Sequence, residues 1–109
     1  MKQSTHNLRA VFFRQNGALK GFEVTGHAGY GEAGNDIVCS AVTSAVMLTC
    51  NTVTDFFHAD AEVSAEENCV SLSLNVPDDA SERLLDSFHV HMKNISEDYP
   101  GVKVEVREV

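Results

Sequence analysis

His27 and Cys39 stand twelve positions apart, with Gly29, Gly31 and Gly34 between them and Gly26 immediately in front. Cys39 falls near the beginning of an apolar run, Ile37 to Phe57, that reads as a buried helix. A cysteine in the first turn of a helix lies at the positive end of the helix dipole, which favours thiolate over thiol. An imidazole within reach supplies the base that a sulfur nucleophile needs. The glycines between the two mark a loop that must bend sharply or move. His, glycine-rich loop, then Cys at a helix start is the pattern of a cysteine enzyme.

The other candidates for chemistry are weaker. Cys50 lies late in the same apolar run and Cys69 opens a strand-like segment, so both read as packed and inert. His6 belongs to a tail and His58 follows a helix end, where an imidazolium suits the dipole. His89 and His91 are two positions apart on a helix, diverge in direction and make no metal pair; no metal or cofactor is expected. Asp36 reads first as the cap of the Cys39 helix, with Asn35 the other candidate cap. Its second reading is a carboxylate that orients His27.

Composition limits what such a site can serve. A chain of 109 residues suits one domain, residues 1–109, with a real core. Sixteen Asp and Glu against eight Lys and Arg give a net charge of −8, the wrong sign for gripping a nucleic acid backbone. A basic protein or peptide is the macromolecular partner this charge favours, although an acidic balance also serves solubility alone. Three cysteines without a Cys-x-x-Cys pair indicate neither a disulfide framework nor a zinc ribbon, so reduced thiols in the cytoplasm are expected. No run looks close to the roughly 20 residues of a membrane span, and Met1 to His6 lack a signal-peptide core, so no membrane partner is expected.

The elements that must position the site follow from the periodicity. Leu8–Arg14 and Ala18–Thr25 are strand-like and flank Gln15-Asn16-Gly17, a hairpin signal. Asp60–Glu66 and Val70–Val76 alternate apolar and polar residues around a tight turn at Glu67-Asn68. Val102–Arg107 alternates again, with Val102, Val104 and Val106 inward. Leu84, Leu85, Phe88, Met92, Ile95 and Tyr99 make the stripe of a second helix, with Asp79 and Glu82 as a capping box and Pro100-Gly101 as the stop. The first helix has mediocre helix formers and depends on burial of Val38, Val42, Ala45, Val46, Thr49, Val53 and Phe56 or Phe57. The order ββαββαβ predicts an α+β two-layer sandwich, a mainly antiparallel sheet with two helices on one face.

Gly26-His27-Ala28, followed by Gly34-Asn35-Asp36-Ile37-Val38-Cys39-Ser40-Ala41-Val42-Thr43-Ser44, resembles the ribosomal-processing cysteine protease family, Prp. The loop length and the Asp-Ile-Val-Cys tetrad carry the resemblance, and length and element order extend it along the chain; Ser40 stands where Ala is the commoner residue. The resemblance implies a bacterial endopeptidase that removes the N-terminal extension of protein twenty-seven of the large ribosomal subunit. It implies cleavage after an aromatic pair at the end of a short apolar leader, a homodimer, and a flexible loop over the site. It carries His27 and Cys39 over as the catalytic pair and Asp36 as an associated position. On this reading Gly29, Tyr30, Gly31 and Gly34 lie in the loop that covers substrate. Two rivals are a non-catalytic assembly factor that binds a basic ribosomal protein, and a redox or acyl-transfer enzyme with the same dyad; the missing Cys-x-x-Cys counts against redox chemistry.

Overall fold

A computed structural model describes residues 8–26 and 37–109. The elements are β1 (Leu8–Gln15), β2 (Ala18–Gly26), α1 (Ile37–Asn51), β3 (Ala61–Glu66), β4 (Cys69–Leu74), α2 (Asp79–Asp98) and β5 (Val102–Glu108). The α+β reading and its element order are borne out. The five strands form one open sheet in the order β3-β4-β2-β1-β5, antiparallel except where β5 runs parallel to β1. Asn16 (φ 56°) and Gly17 (φ 84°) close the first hairpin, both left-handed as a two-residue turn between twisted strands requires.

One face of the sheet is apolar and the helices cover it. Leu8, Ala10, Phe12, Phe22, Val24, Leu72 and Leu74 meet Val38, Val42, Val46 and Val53 from α1 and its extension, and Leu85, Phe88 and Met92 from α2. Phe12, Phe22 and Phe88 form the aromatic centre, with ring centroids 4.9–6.1 Å apart and edge-on or tilted. Each such side chain, taken fully out of water, contributes about 1.5–3 kcal/mol. That burial holds α1 together despite its many β-branched residues.

Several expectations require correction. α1 does not stop at Asn51 but continues as a wider π turn, Thr52–Phe56, closed by Phe57 N–H donating to the Thr52 carbonyl at 2.9 Å. The wider turn carries the inward stripe off register after Val53, so Phe56 is 77% exposed and Phe57 also faces out. The combined helix, Ile37–Phe56, is 20 residues long and apolar enough by length and composition to cross a membrane, which overturns the reading that no run approaches such a span. Thr49, Thr52 and Thr54 conceal their polarity by donating hydroxyls to the carbonyls of Ala45, Leu48 and Cys50, at 2.7–3.0 Å. Here one face of that helix is packed on the sheet. Val76 is exposed rather than inward, because β4 ends at Leu74 where Asn75 is clamped to Asp60. The cap of α2 is Asp78, one residue earlier than expected; it accepts from the Ser81 amide at 3.0 Å, while Glu82 accepts from the Asp78 amide at 3.3 Å. Tyr99 is the extended cap after α2 rather than part of its stripe.

Candidate active site

Cys39 is the third residue of α1, half-buried in its first turn, where the backbone N–H groups lack intrahelical partners. It borders a cleft of about 310 Å³ between α1 and the β2–β4–β3 side of the sheet. The floor and walls are apolar: Val24, Val42, Val46, Met47, Val63 and Val70. Glu66, Glu67 and Asn68, at the β3–β4 turn, form a polar rim. Gly26 lines the same cleft; its φ of 87° is one that glycine adopts without strain, and its N–H donates to the Asn68 carbonyl at 3.1 Å. The strand end that leads into His27 is therefore fixed beside the cleft that Cys39 borders.

His27, Asp36, Gly29, Tyr30, Gly31 and Gly34 lie outside the described residues, as does Asn35, the other candidate cap of α1. The described histidines do not approach Cys39: none of His58, His89 and His91 lines the cleft. His58 occupies the left-handed position after the helical run, at φ 49°. His91 is exposed. His89 is half-buried with its ring centroid 4.8 Å from that of Phe12, so it is a packing residue rather than the surface residue expected. Burial, then the nearby Lys93 and Arg14 cations, push its pKa down against the opposing pull of Asp86. Among the described residues no group of three His, Cys, Asp or Glu side chains is arranged to hold a metal ion.

All three cysteines border the one cleft, and none is in a disulfide among the described residues. Cys50 is buried and its thiol is pushed up to about 11 by desolvation. Cys69 is half-buried rather than packed; partial burial, and then the negative charges of Glu23 and Glu66, raise its thiol pKa. Both are thus biased away from the nucleophilic thiolate. The cleft wall made by Met47, Val63 and the Glu67-Asn68 turn has no signal in the local sequence. That wall exists only because Thr25 pairs with Cys69 across β2 and β4, a contact between distant parts of the chain.

A cysteine at a helix start, open to an apolar cleft and set among the first backbone N–H groups of the helix, defines a thiol hydrolase site for a peptide-like substrate. The family model described as Cysteine protease Prp matches residues 8–103, and the chain belongs to that family. It is a cysteine protease. A Streptococcus mutans protein of known structure is 28% identical, with 94% of this chain and 96% of that one covered at a TM-score of 0.83. The Staphylococcus aureus ribosomal processing protease Prp, crystallised with a covalently linked product peptide, shares the fold at a TM-score of 0.85, 18% identity, and coverage of 92% and 99%. The same S. aureus protease with a substrate peptide gives a TM-score of 0.76 at 17% identity, with coverage of 94% and 99%. No curated protein matches the chain.

Proposed function

We propose that this single-domain protease acts in the bacterial cytoplasm and removes the N-terminal extension of protein twenty-seven of the large ribosomal subunit, cutting after an aromatic pair. The observation that carries the reading is the position of Cys39, in the first turn of α1 and on the rim of an apolar cleft. Family membership supports hydrolysis over the reading as a non-catalytic assembly factor. The S. aureus relative, a ribosomal processing protease with peptide bound, supports the choice of substrate.

In this reading His27 takes the Cys39 proton, or the pair rests as thiolate and imidazolium. The sulfur attacks the carbonyl after the aromatic residue, and the tetrahedral oxyanion is held by backbone N–H groups at the start of α1. His27 then protonates the leaving amine, and water hydrolyses the thioester. Asp36 caps α1 and, as its second role, orients the imidazole. No cofactor or metal takes part. The loop with Gly29, Tyr30, Gly31 and Gly34 covers the bound peptide and shields the acyl-enzyme from water. The test is incubation with a leader-bearing ribosomal protein and mass analysis of the products. Two fragments are expected, divided after an aromatic residue; an intact substrate, or a cut elsewhere, overturns the reading. In the same assay Gly31→Ala and Gly34→Ala should slow turnover at near-normal melting temperature, and unchanged turnover would remove the loop's covering role.

The working form in this reading is a homodimer, joined through the outer face of α1, and neither nucleic acid nor a membrane is a partner. From Ile37 to Thr54 this helix carries no charged side chain, although the chain carries −8. Ile37 is 76% and Leu48 68% exposed on that face. Two acidic chains can meet there without repulsion, whereas anionic lipid headgroups and nucleic acid both repel a chain of this charge. Light scattering during size exclusion should give twice the monomer mass, and Leu48→Glu should shift it to the monomer mass with the fold kept. A wild-type monomer at micromolar concentration, or a dimer indifferent to Leu48→Glu, would contradict the assignment.

A further inference from the structure

Among the described residues β3 is an edge of the sheet, and no described strand pairs with its outer side from Ala61 to Glu66. Such an edge is a template for one more strand. Its two faces differ in chemistry. By the register with β4, Ala61, Val63 and Ala65 lie on the helix side, opposite Leu74, Leu72 and Val70. Glu62, Ser64 and Glu66 lie on the open side, opposite Ser73, Ser71 and Cys69. On the helix side, Val63 stays 42% exposed and Met47, across the cleft, 58% exposed. A strand laid beside β3 would cover both.

Charge distinguishes this edge from the other. No Lys or Arg occurs between Lys20 and Arg83, a stretch that holds eleven of the sixteen Asp and Glu. At the β5 edge the acids are neutralised in place: Glu105 pairs with Arg9 at 3.4 Å and Arg107 at 3.0 Å, and Glu108 with Arg14 at 3.2 Å. The ion pairs among the described residues lie on β1, β5 and α2, and none involves Glu62, Glu66 or Glu67. The negative field at the β3 edge is also felt at Cys69, whose thiol is raised by burial and then by Glu23 and Glu66.

We infer that β3 binds an extended segment of the cleaved protein as a sixth strand, and that it selects a segment in which apolar and Lys or Arg side chains alternate. The apolar side chains face Val63 and Met47; the cationic ones face Glu62 and Glu66. Because side chains alternate between faces with period two, the order of residues matters and not composition alone. The inference rests on the protease reading for the identity of the segment, and its continuity with the Cys39 cleft comes from Val63, Ala65 and Glu66, which border both.

The test measures binding separately from cleavage. Fluorescence anisotropy with the whole protein compares a fluorescein-labelled peptide of alternating Leu and Lys, an isomer with the Leu and Lys in blocks, and an alternating Leu and Gln peptide. The alternating Leu–Lys peptide should bind most tightly, and the outward amides of β3 should gain hydrogen-exchange protection. Glu62→Gln with Glu66→Gln should weaken the Leu–Lys peptide about five-fold, as two exposed ion pairs imply, and leave the Leu–Gln peptide unchanged. Equal affinity for the two isomers, or the same loss for the Leu–Lys and Leu–Gln peptides, overturns the inference. Failure of the protease reading shows instead as absent Cys39-dependent cleavage of the leader-bearing protein while this binding pattern persists.

Discussion

Cys39→Ala should leave a folded protein whose cleavage of a leader-bearing substrate falls by about four powers of ten or more, because the nucleophile is one sulfur atom. Cys39 is only half-buried in the first turn of α1, so the loss of its side chain should cost no more than about 1 kcal/mol of stability. The internal controls are Cys50→Ala and Cys69→Ser, which should retain turnover. Cys50 should show a packing cost, since it is buried in the core cluster. Iodoacetamide followed by peptide mass mapping gives an independent readout. At pH 7 Cys39 should be alkylated first, while Cys50, with its thiol at about 11, and Cys69, raised by burial and by Glu23 and Glu66, label slowly and gain only as pH rises. Earlier labelling of Cys50 or Cys69 would dismiss Cys39 as the nucleophile.

The second large effect is expected at His27. His27→Ala should lower turnover by roughly three to four powers of ten, since base and nucleophile act as one unit and removal of either disables both. The limb of the pH–rate profile assigned to the imidazole should vanish with it. Single replacement of His58, His89 or His91 should leave turnover within a few-fold, because none of them borders the Cys39 cleft. His89→Ala should show its effect in the melting temperature, where loss of the ring packed on Phe12 is felt. A deficit at His58 or His91 as large as that at His27 would mean that the base lies elsewhere.

The start of α1, with Cys39 inside its first turn, was legible in the sequence because its signals are local. A helix start, a cysteine within its first turn, and a glycine-rich approach from an upstream histidine are all read from adjacent residues, and α1 does begin at Ile37 with Cys39 in its first turn. The strands were legible for the same reason. Alternation with period two marks β3, β4 and β5, and Asn16-Gly17 marks the first hairpin. Errors arose where a local pattern met a non-local constraint. The π turn after Asn51 rotates Phe56 into solvent, and the clamp between Asp60 and Asn75 ends β4 before Val76.

By itself the sequence determined the class of chemistry, the element order and the acidic character of the surface, because side-chain type, backbone preference and charge are properties of residues and their near neighbours. Only the tertiary structure decided where the cleft lies, which thiols are suppressed, and which edge of the sheet stays open. The cleft requires β2, β4 and α1 to meet, with Thr25 opposite Cys69 and Gly26 tied to Asn68. Cys50 is suppressed by residues that bury it from other elements, and the β3 edge stays charged because the arginines lie at the opposite edge. Such effects depend on distances between residues far apart in the chain, and no window of sequence contains them.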